Sequence, residues 1–324
     1  MSALKIGNKL VGDGYPCFVV AEIGINHNGS LEIAQKLIDT AVEAGCDAVK
    51  FQKRTVQRVF TPEQLAQPRK VDPSIIENAM KRMIIEDVRY CVFPEENYQR
   101  LKADPSNTTN GDLKFALEFG MKDFDLIDLY CKEKNIMWFA SSWDGLSAHF
   151  LNGFNVLCHK IASACLTHKN LLERVRSNGK PVILSTGGST IEQIEKAVKV
   201  LGHEDLILLH CTASYPSLDE EINLAVIETL KRKFAGVPIG YSGHELGILP
   251  SIAATAFGAC LIERHITLDR KMPGTDQPAS LEPEQLKTLV SEIRRLEKIR
   301  GDGIKRVYES EAQVMKKLRR RQDF

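Results

Sequence analysis

Short apolar runs recur along the chain, each followed by a segment whose apolar residues return every three or four positions. CFVVAEIG (17–24) has the make-up of a buried strand, and 31–44 that of an amphipathic helix opened by Ser30 as its cap. DAVKFQ (47–52) is the second strand. After an interruption, strands over 136–142, 155–163, 181–188, 206–212, 237–244 and 261–267 alternate with helices over 123–133, 146–152, 169–177, 191–201, 221–233, 250–257 and 283–300. Alternation of this kind predicts a parallel sheet. Eight strands and eight helices in 324 residues favour an α/β fold of the closed (β/α)8, or TIM-barrel, type. No G-x-G-x-x-G follows the first strand, which argues against an open dinucleotide-binding sheet.

Two segments stand outside the rhythm. Lys5 to Val11 reads as a hairpin around Gly7-Asn8, suited to plug the bottom of a barrel. Residues 53–123 enlarge the loop after the second strand, with turns, a helix over 74–85 and the polar stretch DPSNTTNGD. The expected organisation is an N-terminal hairpin over 1–16, a barrel over 17–300 and a tail over 301–324, whose basic run KKLRRRQDF reads as a solvated end.

Charge narrows the partners. Lys plus Arg number 43 and Asp plus Glu 42, so no global field favours nucleic acid or an anionic membrane. The N-terminus has no apolar signal core and no run reaches membrane-spanning length, which points to a cytoplasmic protein with small-molecule partners. The eight cysteines (17, 46, 91, 131, 158, 165, 211, 260) are scattered, mostly in apolar runs, and are expected to be reduced.

Barrel enzymes carry their chemistry at the carboxyl ends of the strands. Those ends here hold, in order, Glu22; Lys50 and Gln52; Ser141 and Ser142; Lys160 and Ser163; Ser185 to Gly188; His210 and Thr212; Ser242 and His244; and Glu263 and His265. Lys50 and Lys160 on buried strands are costly unless they meet negative charge, which suggests an anionic ligand. STGGST (185–190) either offers free N–H groups to a phosphate at a helix start or forms a simple capped turn. In LIERHITLDRKMPGTDQPASLEP (261–283), Glu263 and His265 share a strand face, and Asp276 follows on a loop able to fold back over the strand tip. This stretch is either one wall of a metal site or a strand end closed by an ion pair of Arg264 or His265 with Glu263. His244 and His265 end adjacent strands, too few for a closed structural zinc site but suited to an open catalytic ion. His210 is a weaker third candidate. His27, His149, His168 and His203 read as structural, and alternation turns His159 towards the helices.

AEIGINHNGS, DAVKFQ, KIAS, ILSTG, HCTASYP, GYSGH and ERHITLDRKMPGTD, in this order, resemble the sialic acid synthase (N-acetylneuraminate synthase) family over nearly the whole barrel. The resemblance implies condensation of phosphoenolpyruvate with an N-acyl-hexosamine, such as N-acetylmannosamine, to a nine-carbon 2-keto sugar acid with release of phosphate. It implies a divalent ion, manganese or magnesium, on His244 and His265. It places Lys50, Ser142, Lys160, Ser163, Ser185, Tyr215 and Ser242 around phosphoenolpyruvate. Gln52 and Asp276, with Glu22 and Glu263, would face the sugar and the metal-bound water; Glu22, Glu263 and Lys50 are the expected catalytic groups. Three departures stand out. Cys165 replaces a usual glutamate, and Ala213 a usual asparagine. The sequence ends after LRRRQDF, where usual members continue into an antifreeze-like domain that lends an arginine to the partner's sugar site. A homodimer is therefore left open, and 53–123 are expected to supply sugar contacts. The competing readings are a Schiff-base aldolase using Lys160 or Lys50 and a non-catalytic sugar- or phosphate-binding barrel.

Overall fold

The chain opens with an antiparallel hairpin, β1 (Ala3–Ile6) and β2 (Lys9–Gly12). Its turn holds Gly7 at φ +57°, and a Cβ there would stand 2.7 Å from Met137 Sδ and 2.9 Å from Leu157 Cδ1. The hairpin rests on the amino-terminal ends of the barrel strands because this residue has no side chain. The computed structural model describes residues 3–85 and 93–321.

Eight parallel strands follow: β3 (Phe18–Gly24), β4 (Ala48–Lys53), β5 (Met137–Ser142), β6 (His159–Ile161), β7 (Val182–Ser185), β8 (Leu206–Cys211), β9 (Ile239–Gly243) and β10 (Leu261–His265). They pair in chain order, and β10 closes the ring against β3. All seven residues of β3 and all six of β8 are buried, as strands covered on both faces must be. Helices pack outside, beginning with Leu31–Ala44, where Ser30 accepts the Ile33 N–H and left-handed Gly45 ends the last turn. The expected α/β barrel is thus the observed one.

Three elements differ from expectation. β6 covers only His159–Ile161, because the chain then tightens into a 3-10 turn at Ser163–Cys165. The single helix expected over 221–233 is two pieces, Asp219–Ile222 and Val226–Lys233, parted by Asn223 at φ 46°, ψ 61°. Ile222, Ile227 and Leu230 are buried on both sides of the break, so the apolar spacing hides it. The tail is solvated as expected but helical over Glu309–Leu318, with no buried residue.

Among its described residues the enlarged loop carries five helices: Val56–Val59, Pro62–Ala66, Pro73–Ile85, Glu95–Ala103 and Asn110–Ala116. They enclose an apolar cluster of their own, with Val71, Ile75, Ile76, Leu101, Phe115 and Leu117. Buried Asp112 pins it by accepting two hydrogen bonds from Arg100 (2.6 and 2.8 Å) and one from Asn97 (2.8 Å). Among the described residues the seven cysteines are free, and no helix is long and apolar enough to cross a membrane. Cys91 and residues 322–324 lie outside the described residues.

Candidate active site

Strand register assembles the site before any side chain is considered. His265 pairs with Glu22, Glu263 with Ser242, and Ser141 with both Gln52 and Lys160. These residues end their strands on one mouth, and most are buried. Four charged groups meet at its floor. Lys50 Nζ lies 3.0 Å from Glu22 Oε2 and 3.3 Å from Glu263 Oε1. Lys160 Nζ donates to the same Glu263 oxygen at 3.2 Å, and Ser242 Oγ does so at 3.1 Å. Ser185 accepts from Lys160 at 2.8 Å, and Ser141 accepts from Lys50 at 3.1 Å.

The expectation that the two lysines need negative charge is met in part by the protein itself. Glu263 Oε2 remains buried without a hydrogen-bond partner, and Glu22 Oε2 makes its contact with Lys50 as an ion pair rather than an aligned hydrogen bond. Burial pushes Glu22 up, to about 7, against the pull of Lys50. Burial also acts on Glu263, but Lys160 and Lys50 outweigh it and hold this carboxylate below its usual range. The lysines diverge in the same way. Burial lowers both, yet the two glutamates raise Lys50 overall, whereas Lys160, facing Lys50, stays below the usual lysine range.

On one side stand the two imidazoles, with ring centroids 5.5 Å apart. His244 Nδ1 is 2.8 Å from the Thr212 carbonyl, so this nitrogen carries the proton and Nε2 keeps its lone pair. His265 Nδ1 is buried without a partner. Burial, then the neighbouring ring, brings His244 to about 4. Burial, then Lys50, brings His265 to about 3. Both rings are therefore neutral near pH 7, as metal ligands must be. Among the described residues no group of three or more His, Cys, Asp or Glu side chains is arranged to hold an ion. Two neutral rings, one with an orphaned nitrogen, fit an ion that takes its remaining ligands from water and substrate. His210 is not part of the set, because its Nε2 lies 2.7 Å from the Ile222 carbonyl on the helical side of the barrel. His159 likewise faces outward, with Nε2 3.2 Å from the Asn178 amide.

The remaining expected residues surround this floor. Gln52 donates to Glu22 at 3.1 Å, and Tyr215, half exposed, lays its ring 4.0 Å from that of His244. Asp276 is partly buried and accepts from Thr275 at 2.8 Å. Ser163 Oγ accepts the Gly187 N–H at 3.0 Å. Thr190 and Gln193 form a reciprocal cap at the next helix, so part of the N–H array expected to await phosphate is already taken. Ser141, rather than Ser142, touches Lys50; the Ser142 hydroxyl is buried and unpartnered. Arg264 does not pair with Glu263. Wholly buried, it donates to Glu245 Oε1 at 2.7 Å, to the Glu245 carbonyl at 2.7 Å and to Gly247 O at 2.9 Å. Tyr241 and Ser251 donate to the same carboxylate at 2.8 and 2.7 Å. The sequence reading also passed over Arg54, which donates to Gln52 at 2.8 Å and pairs with buried Glu118 at 2.6 Å. Its signal was present: Lys50, Gln52 and Arg54 are spaced by two at one strand end.

The model of the NeuB family matches residues 37–106 and 92–305. The chain belongs to the NeuB family. Among NeuB relatives it is 34% identical to N-acetylneuraminate-9-phosphate synthase of Homo sapiens, over 96% of this chain and 78% of that protein. It is 35% identical to N,N'-diacetyllegionaminic acid synthase of Campylobacter jejuni, over 90% of this chain and 80% of that one. The fold superposes on the crystal structure of N-acetylneuraminic acid synthetase from Leptospira borgpetersenii with a TM-score of 0.77 and 34% identity, covering 99% of each chain. The protein is accordingly a NeuB-family enzyme. Cys165 is buried, with its thiol 3.8 Å from the Trp143 carbonyl.

Proposed function

We propose that this enzyme condenses phosphoenolpyruvate with an N-acyl-hexosamine to a nine-carbon 2-keto sugar acid, releasing phosphate. One observation carries the reading: two neutral imidazoles stand beside a cluster of two lysines and two glutamates on a single barrel mouth. Lys50 and Lys160, with Ser185, Ser242 and Ser141, bind the carboxylate and phosphate of phosphoenolpyruvate. Ser142, Ser163 and Tyr215 complete that lining, and Gln52 and Asp276 meet the sugar. His244 and His265 would hold a divalent ion of the manganese or magnesium type, which when bound supplies positive charge to polarise the sugar aldehyde.

The vinyl carbon of phosphoenolpyruvate forms a bond to the aldehyde carbon as the carbonyl π bond opens, its oxygen taking up a proton to become a hydroxyl and positive charge being left at C2. Water adds at C2, and the tetrahedral species sheds phosphate as the ketone forms. Lys50 and Lys160 stabilise the departing phosphate. Glu263 shares one oxygen among Lys50, Lys160 and Ser242, so its charge is committed to positioning them. Glu22 faces one cation and one amide and is the group assigned to take the proton from water.

The test is phosphate release from phosphoenolpyruvate across a panel of acyl-hexosamines, with and without chelator. Sugar-dependent release that chelator abolishes supports the reading. Release without sugar would reject the condensation, and insensitivity to chelator together with borohydride trapping of a keto acid on Lys160 or Lys50 would replace it with the Schiff-base alternative. Calorimetry on His265→Ala checks the ion independently of turnover: manganese binding is expected to weaken at least tenfold.

A further inference from the structure

The enlarged loop comes back to the strand it leaves. Glu118, two residues past the helix Asn110–Ala116, is buried and closes on Arg54, one residue past the end of β4. Its Oε1 lies 2.6 Å from Arg54 Nε, and its Oε2 accepts the Arg54 backbone N–H at 3.2 Å. Arg82, on the helix Pro73–Ile85, braces the backbone behind it. This arginine donates to the Glu118 carbonyl at 2.9 Å and the Ala116 carbonyl at 2.6 Å, and pairs with Asp123 at 3.1 Å. Burial raises Glu118 above the usual carboxylate range, with Arg54 first and Lys53 second opposing it, so the Arg54 guanidinium is its main counter-charge.

The same guanidinium reaches into the mouth. Lys50, Gln52 and Arg54 fall on one face by alternation along β4 and just beyond it. Arg54 donates to Gln52 Oε1 at 2.8 Å, and Gln52 Nε2 donates to Glu22 Oε1 at 3.1 Å. The two ends of an amide are nearly equal in size, so shape alone does not decide which faces Glu22. A guanidinium has donors only and can meet only the carbonyl end. The backbone is cleared for this contact: Gly24 sits at φ +55°, and a Cβ there would stand 3.0 Å from both Gln52 Nε2 and Glu22 Oε1.

Resting on the condensation reading, we propose that Arg54, anchored by Glu118 of the enlarged loop, is a positioning residue. It holds the Gln52 carbonyl away from the reacting groups, so that one amide N–H is kept on Glu22 and the other is offered to the acceptor sugar. Gln52 then meets the sugar as a donor, towards an oxygen lone pair. The enlarged loop reaches the chemistry through this one side chain, without itself touching the sugar at this point.

The experiment is a double-mutant cycle on the full chain with phosphoenolpyruvate and N-acetylmannosamine. Arg54→Lys keeps a positive charge beside Glu118 and loses the fork that also reaches Gln52. It is expected to lower kcat/KM for the sugar about tenfold, with KM for phosphoenolpyruvate changed less than about twofold. In a Gln52→Met background the same change should cost less than about twofold, because two residues acting through one contact are not additive. Glu118→Gln should give the same pattern at smaller amplitude, and it is read in both backgrounds if Arg54→Lys folds poorly. Equal losses in both backgrounds, or a parallel rise in KM for phosphoenolpyruvate, would overturn the role of Arg54; an unchanged Glu118→Gln would overturn its anchoring by the loop. If the parent releases no phosphate with the sugar, the condensation reading falls, and NMR still decides the positioning. The Gln52 side-chain amide signal, assigned by its loss in Gln52→Met, is expected to exchange with solvent about tenfold faster in Arg54→Lys. An unchanged rate would reject the proposal.

Discussion

Lys160 is buried, and among the described residues its ammonium donates to Glu263 and Ser185. A methionine there keeps the volume of the stem and removes the charge. Glu263 then retains Lys50, so the fold should survive. A charge-assisted hydrogen bond to substrate contributes about 1.5–3 kcal/mol. Lys160→Met is therefore expected to raise KM for phosphoenolpyruvate by roughly 10- to 100-fold. Steady-state kinetics check this, and an unchanged KM would remove the lysine from the binding site. At this scale the residue types were legible but their partners were not. That Lys50, Lys160, Glu22 and Glu263 end strands follows from the pattern; that both lysines share one oxygen of Glu263 depends on barrel closure, which joins residues 103 positions apart in the chain. Adjacent serines cannot be ranked from the sequence: both Ser141 and Ser142 end the same strand, and it is Ser141 that meets Lys50.

Elements follow the hydrophobic period closely where that period is uninterrupted, and less so where one residue redirects the backbone. Asn223 does so between Asp219–Ile222 and Val226–Lys233, in the left-handed region that asparagine tolerates and β-branched residues do not. Asn223→Val is expected to cost about 1–2 kcal/mol, read as a lower urea midpoint with unchanged slope, while Asn223→Gly should be close to neutral. Equal loss in both variants would show that the side chain, not the backbone, matters there. The enlarged loop was legible as an interruption and as one helix. Its other helices are short, and their apolar residues pack on one another rather than on the barrel, so no long period announces them.

Across the whole molecule, burial of neutral imidazoles ties stability to pH. His159 is fully buried, and burial, aided by Lys180, lowers it from 6.5 to about 4. The unfolded chain takes up this proton below about pH 6.5 and the native one only near 4, so stability present above 6.5 is lost as pH falls through that window. The contribution is on the order of 3 kcal/mol. His159→Gln is expected to flatten the dependence of the urea midpoint between pH 6.5 and 4. A variant as acid-sensitive as the parent would show that other groups set the slope. The barrel itself was the most legible feature, since eight repeats of strand and helix leave few alternatives. The mutual placement of its tips was not.

One consequence follows from the pairing of Arg264 with Glu245. The arginine immediately precedes one metal-candidate histidine and the glutamate immediately follows the other. The outer surface of the ring thus carries a clamp whose jaws are the backbones of both imidazoles, and the spacing of the jaws sets the bite offered to an ion. Arg264→Lys keeps the charge and loses the fork. It should weaken manganese affinity about tenfold, as changes behind ligands do, while neither imidazole is altered; calorimetry would show whether the grip loosens.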